Sequence, residues 1–531
     1  MKPPLKRLKN ILQSKTLYII LTVFIITFVI VKTKIIKYES KLSNETMYAG
    51  KVVQLSISQD KVSFIIKGKE KLLCNYYVKN SDKYNNLLGK KVTVYGSLKD
   101  GTNNTIPNTF NYKNYLYNNY IYKIMNATSI EIIRNENIFY KIRNNINNKI
   151  NNYDGKINTY LNLFLLGNRA NLNNDTYEHY KENGIWHLFA VSGMHIDLIV
   201  LALSYLLKRF KYNNIIICII VFFFLFLTDF APSVLRSGIF YYLKSILNIL
   251  KIKLDNKQIL FLDALIILLI NPFTIYNAGF HYSFLITYSI MLESNNLTGK
   301  YIMKIFKISL LSIVVSLPIT VNMNYEINLM SILLNIIYIP FITYIVFPIS
   351  ILTFMCNIFS PIFQGLILIL EQSNIILNHL SINIIIAKIP IISTLIYYLI
   401  LYLFHRFRKR LYLFILVTLM LTNNLLPKIN NNIYIYYWDI GQGDSAAIIS
   451  PSEKEVVVID TGGEISSNHK KSSNYIKFFK SKGIKKIDNL ILTHGDYDHM
   501  GEAINLVENF KVEKVIFNCG EFNELEQELI L

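Results

Sequence analysis

Apolar and polar positions alternate in two distinct ways along this chain, and the change of rhythm marks its domains. One apolar run occupies 17–31. From about 47 to 134 the apolar residues come in short, β-branched runs such as KVVQLSI, VSFIIKG and KKVTVYGSL, separated by glycine-containing turns, which predicts a small antiparallel barrel. From Ile185 the rhythm changes to long, nearly unbroken apolar blocks at 185–207, 214–228, 234–250, 258–271, 277–292, 303–322, 328–355, 358–378, 388–404 and 411–427. Each is long enough to cross a bilayer, some of the shorter ones as tilted or re-entrant segments. With the first run they make about eleven spans. Pro340 and Pro348 are the place where one span could divide into two. After 427 short β-rich runs return. The boundaries read as a cytoplasmic N-terminus and first span (1–33), a barrel (34–136), an amphipathic linker (137–184), a transmembrane helical domain (185–427) and a terminal domain (428–531).

Composition agrees with the blocks. The 531 residues are 52% hydrophobic, and the mean hydropathy of +0.32 excludes an ordinary soluble domain. Cys74, Cys218, Cys356 and Cys519 are scattered singly, so neither a disulfide framework nor a cysteine metal site is expected. Asn-rich stretches such as RNNINNKINNY reflect biased composition rather than a functional repeat. Lys2, Lys6, Arg7, Lys9 and Lys15 precede the first run, and no small-residue cleavage site follows it, so it reads as an uncleaved span with the N-terminus inside. Basic clusters then recur at Lys208–Lys211, Lys251–Lys257, Lys300–Lys307 and Arg406–Arg410, while the loops 229–233, 271–276 and 323–328 carry no Lys or Arg. Alternation on this pattern places 34–184 and the terminal domain on the same outer face.

The barrel segment 47–134 holds 13 Lys or Arg against 5 Asp or Glu, a net +8. A basic barrel with many tyrosines can bind single-stranded nucleic acid through phosphate contacts and base stacking. A solvated lysine-rich surface is the plain alternative. Arg236, Asp197 and Asp263 lie inside apolar blocks, where a charge persists only against a partner or a polar cavity. Arg236 snorkelling to an interface, and His187 with His195 as a hydrogen-bonded interior pair, are the structural alternatives.

The terminal domain carries THGDYDH at 493–499. His494, Asp496, Asp498 and His499 place two imidazoles and two carboxylates within six residues, a donor set suited to Zn or Mn. An apolar run, Asn489–Ile491, leads into the cluster and Gly501 follows it, so the donors sit on a strand-to-helix loop. Upstream, YWDIGQGDSAAII and VVVIDTGGE deliver Asp439, Asp444 and Asp460 at strand ends beside glycines as supporting residues.

These motifs together resemble the first half of a metallo-β-lactamase-like αββα domain, with Asp496 where most of that superfamily has histidine. The resemblance assigns Asp498 and His499 to one metal and His494 and Asp496 to another; the later motifs that would complete both shells are not in this sequence. The terminal domain is therefore expected to be partial and the metal site incomplete, as in a truncated product, a split gene or an inactive form.

Further motifs, NTFNYKNYL (108–116), LFLLGNRANL (163–172), GIWHLFAVSGMHIDLIV (184–200), APSVLRSG (231–238) and NPFTIYNAGFHYSF (271–284), make the whole chain similar to the ComEC family of competence proteins. That resemblance implies an inner-membrane channel for uptake of single-stranded DNA in natural transformation, with an outer OB-fold barrel. It implies channel roles for His187, Ser192, Gly193, His195 and Arg236, with Asp197 where glycine is usual and His281 where glutamine is usual. Its partners would be single-stranded DNA, the lipid bilayer, DNA-receptor and DNA-translocase competence proteins and, as an open alternative, a second copy of the chain. The terminal domain would be a metal-dependent nuclease in the family. Two other readings stand beside this one: a membrane-anchored metallohydrolase, and an inactive relic. An anchor needs one or two spans, whereas this chain has many, with His and Arg inside them.

Overall fold

The computed structural model describes residues 10–42, 45–58, 60–79, 82–134, 136–378, 381–440, 443–463 and 472–531. Lys2, Lys6, Arg7 and Lys9 of the N-terminal basic cluster lie outside the described residues, as do Gly441, Gln442 and Glu464 of the glycine motifs. By contacts the chain divides into two units: 1–102, 112–313 and 330–381 form one, and 103–111, 314–329 and 382–531 form the other.

In the first unit the alternating segment folds as expected, because period-two apolar positions can bury only one face of a strand. Strands β1 (Met47–Ser58), β2 (Lys61–Lys67), β3 (Lys71–Tyr77), β4 (Lys91–Lys99) and β5 (Ile121–Arg134) close into a barrel in the order β1-β2-β3-β5-β4. All pairings are antiparallel except β3 with β5. Val62, Phe64 and Ile66 of β2, Leu72 and Cys74 of β3, and Val92 and Val94 of β4 point inward and are buried. Each such side chain contributes roughly 1.5–3 kcal/mol of burial. Closure removes the free edges that an open sheet of this composition would expose.

Every apolar block forms helix. Among the described residues six helical stretches are long and apolar enough to cross a membrane: Lys15–Ile35, Trp186–Leu206, Tyr301–Asn324, Ser331–Met355, Asn357–Asn378 and Arg410–Ile429. Asn213–Leu227 and Ile391–Phe407 are shorter apolar helices. Pro340 and Pro348 do not divide their span. A π-helical segment, Ile342–Val346, carries the helix between them from Ser331 to Met355. The wider turn accommodates a proline that has no N–H to give. The core of this unit draws on Tyr160, Leu163, Phe164, Tyr180 and Phe189 as well as on Val221, Val234, Phe347 and Phe363, so residues from 137–184 pack into the helices that follow them.

The second unit begins with the short pair β6 (Glu326–Asn328) and β7 (Asn383–Ile385). The helices Ile391–Phe407 and Arg410–Leu425 pack on each other around Tyr397, Ile400 and Leu416. The chain then enters a five-stranded sheet of β8 (Tyr434–Tyr437), β9 (Ala446–Ile449), β10 (Val456–Ile459), β11 (Lys486–Ile491) and β12 (Lys511–Ile516), in sequence order across the sheet. The first three strands are antiparallel neighbours, and β10-β11-β12 run parallel through helical crossovers. Tyr475, Phe478 and Phe479 of the helix Ser472–Lys482, with Leu506, cover buried Val456, Val458, Ile487 and Leu490.

Candidate metal centre and intramembrane charge cluster

Strand β11 ends at Ile491, and Leu492 continues the pairing by donating its N–H to the Ile516 carbonyl. Thr493 to Asp496 then turn across the strand ends into a single helical turn, Tyr497–Met500. Within this loop ligand atoms of His494, Asp498 and His499 lie within 4.8 Å of one another, and the two imidazole rings are 3.8 Å apart. Asp496 stands outside that group, with its side chain 75% exposed and 3.6 Å from His494 Nε2.

Asp460, 4% exposed at the end of β10, organises the loop from beneath. Its carboxylate accepts from the Thr493 N–H at 2.8 Å and from the Thr493 hydroxyl at 2.7 Å, and lies 2.9 Å from His499 Nδ1. With Nδ1 against that carboxylate the ring presents Nε2 on its other side, the arrangement of a carboxylate behind a metal-ligating histidine. Thr493 Oγ1 similarly sits 3.0 Å from His494 Nδ1. The His499 carbonyl accepts from the Thr461 and Gly462 N–H groups at 2.6 and 3.0 Å, which ties the DTGG loop to THGDYDH. Gly443 has φ +84° and packs on the Asp498 carbonyl, where any Cβ would collide. Asp439 and Asp444 are exposed and stay outside the cluster, so of the three upstream aspartates only Asp460 reaches the loop.

The donors fit a divalent ion: two imidazoles and a carboxylate converge, and one imidazole is already oriented by a buried carboxylate. Sequence reading missed one support. Asn523 and Glu526 at the start of the helix Glu524–Ile530 form a capping box, and Asn523 Nδ2 donates to the Gly495 carbonyl at 2.5 Å. An N followed three residues later by E was the available signal.

A second cluster lies in the helical unit. Ser192 caps the helix Gly193–Leu206, where His195 Nδ1 lies 3.0 Å from the Ser192 N–H and 3.1 Å from Ser192 Oγ. His195 is 2% exposed, with its ring edge-on to Phe347 at 4.3 Å. Gly193 abuts Arg236 and Ser237, and only a glycine admits that approach. Arg236 donates from Nε to Ser283 Oγ at 2.7 Å and from Nη2 to Ser237 Oγ at 2.6 Å. The fold thus gathers Ser192, Gly193, His195 and Arg236. His187 is separate: it is exposed, with Nδ1 3.1 Å from the Gly184 carbonyl.

Comparison with known proteins joins the two clusters. A competence-protein family model matches 164–411 and a metallo-beta-lactamase superfamily model matches 438–518. ComE operon protein 3 of Bacillus subtilis (strain 168) is 27% identical over 523 residues, an alignment covering 90% of this chain and 67% of that protein. Over these segments the chain is similar to the ComEC competence proteins. Uncharacterized proteins of Mycoplasma pneumoniae and Mycoplasma genitalium are each 32% identical over 187 residues, 35% of this chain and 49% of their own length. No solved structure matches. The Arg236 cluster falls within the competence match and the THGDYDH loop within the metallo-beta-lactamase match, so the chain is a membrane protein similar to competence proteins, with a metallo-beta-lactamase-like domain whose donors suit a divalent ion.

Proposed function

We propose that this chain conducts single-stranded DNA across the bacterial inner membrane during natural transformation. In this reading about eleven apolar segments span the bilayer, and the barrel, of OB type, and the terminal domain stand on the outer face. DNA-receptor and DNA-translocase competence proteins would deliver and draw the strand, and a second copy of the chain would complete the channel if it is homodimeric. The observation that carries the reading is Arg236. A guanidinium among apolar helices, held by two serine hydroxyls, is a positive charge that a polyanion could meet. The barrel supports it. Exposed Lys67 and Lys69, with Lys61 5.4 Å from the ring centroid of exposed Tyr77, offer phosphate contacts beside a stacking surface.

His494, Asp498 and His499, with Asp496 at the rim, would hold the divalent ion, Zn or Mn, of the terminal domain. Such an ion, when bound, activates water for hydrolysis. Asp460 and Thr493 would hold the two imidazoles with Nε2 outward, and Gly443 would let the neighbouring loop close on Asp498. This arrangement favours a hydrolase component beside the channel rather than a simple anchor.

The test is Arg236→Ala in the full chain in a transformable host. Uptake of labelled DNA should be lost while membrane insertion and abundance stay at the wild-type level, and Arg236→Lys should retain part of the uptake. Normal uptake by a stably inserted Arg236→Ala protein would remove the channel role of this residue.

A further inference from the structure

Asp263 lies midway along the helix Asn256–Ile270 and is 0% exposed. Neither of its carboxylate oxygens has a hydrogen-bond partner. A carboxylate removed from water and left without donors is far costlier than the neutral acid, so the buried group requires either a proton or a close cation. Its helix packs against Lys15–Ile30, Pro232–Ile249, the turn Pro272–Tyr276 and Ala278–Glu293. The Lys, Arg, His and acidic side chains on those elements are Lys15, Arg236, Lys244, His281 and Glu293. Only Arg236 among them acts electrostatically on Asp263. Lys244 acts on Asp197 instead, and His281 Nε2 lies 2.6 Å from the Ile275 carbonyl. Arg236 also feels Asp197, and it spends Nε and Nη2 on Ser283 and Ser237. One cation thus bears on two carboxylates while its Nε and Nη2 donate to serines.

We propose that Asp263 is a proton-binding site of the helical bundle, neutral while Ser283 and Ser237 hold Arg236 and anionic when the guanidinium leaves the serines for the carboxylate. The exchange moves one proton between a carboxylate oxygen and water and involves no electrons. It gives the bundle two states that differ by one unit of charge, with the Arg236 charge free in the first and neutralised in the second. In the first state the cation is available to a phosphate; in the second it is withdrawn. Protonation of one acid would then set how strongly the helices hold a polyanion.

Dicyclohexylcarbodiimide reaches carboxyl groups in apolar surroundings and modifies them in the protonated form, so it reads this site directly. The full chain in native membranes is treated from about pH 6 to about pH 9, and the peptide carrying residue 263 is followed by mass spectrometry. A single adduct on Asp263 is expected, absent from Asp263→Asn and falling about tenfold across the range. Arg236→Gln, which leaves Asp263 in place and reports even if Asp263→Asn does not accumulate, should carry the labelling to higher pH. An unlabelled Asp263 alongside a labelled membrane-protein control, a yield independent of pH, or protection by sodium or potassium ions would each overturn the proposal, the last by making the ligand an alkali cation.

Discussion

Asp460 shows how one residue sets the geometry of a loop that lies far from it in sequence. It adopts φ +53°, a conformation that L residues with a Cβ seldom take, and from there its two oxygens meet both donors of Thr493 and the Nδ1 face of His499. Removing the carboxylate frees the His499 ring to rotate and to change tautomer. In the full chain Asp460→Ala should therefore lower affinity for Zn by about 10–100-fold, measured by competition with a fluorescent chelator. His499→Ala should remove that binding altogether. Unchanged affinity in Asp460→Ala beside lost affinity in His499→Ala would show that Asp460 only builds the fold, whereas no loss in either variant would refute the metal site itself. The donors of THGDYDH were legible because they lie within six residues, where chain connectivity alone holds them together. Their supports were less so. Asp439, Asp444 and Asp460 all end or follow β-rich runs beside glycines, and only the packing of the folded sheet distinguishes the buried aspartate from the two exposed ones. The more distant serine partner of Arg236 was illegible for the same reason, since Ser283 is 47 residues away.

At the level of elements, legibility followed periodicity. The barrel strands alternate cleanly, so their inward positions Val62, Phe64, Ile66, Leu72 and Cys74 could be read directly, but the parallel pairing of β3 with β5 depends on a chain reversal with no local signature. The helical character of the apolar blocks was legible, whereas the π-helical segment between Pro340 and Pro348 was not, because a proline in sequence signals a break and the wider turn that absorbs it is a backbone adjustment. The barrel also carries a prediction of its own. If its lysines contact phosphate, binding of single-stranded DNA by the purified full chain should weaken linearly in log–log salt plots, with a slope of roughly −0.7 per phosphate neutralised. Replacing Lys67 and Lys69, both exposed, by Gln should make that slope shallower by about 1.4 while the preference among sequences stays flat. A slope identical to wild type would place the DNA contacts elsewhere.

For the whole molecule the decisive question is which loops share a face of the membrane, and the second unit supplies a physical argument from parity. Strands β6 and β7 pair, and Ile386 donates its N–H to the Tyr325 carbonyl at 2.9 Å, so the loops around 326 and 384 lie on one side. The two helical stretches between them, Ser331–Met355 and Asn357–Asn378, then cross as a pair, which agrees with an unbroken span through Pro340 and Pro348. Asn108 extends the same face: its carbonyl accepts from Tyr325, its Oδ1 from Lys388, and its Nδ2 donates to Ser481 of the terminal domain. The Lys and Arg clusters alternate against this face, since the loop 323–328 carries none and Arg406–Arg410 lies one crossing beyond 384. The segment before the helices and the terminal domain after them should therefore both be external. Cys519 is exposed and serves as a native probe once the other cysteines are replaced, with Lys69→Cys reporting the barrel and Arg209→Cys the opposite face. In intact cells with a permeabilised wall, an impermeant maleimide should label Cys519 and Lys69→Cys and should reach Arg209→Cys only after lysis. Labelling of Arg209→Cys in intact cells, or protection of either of the other two, would invert or break the alternation and with it the placing of the barrel where incoming DNA arrives.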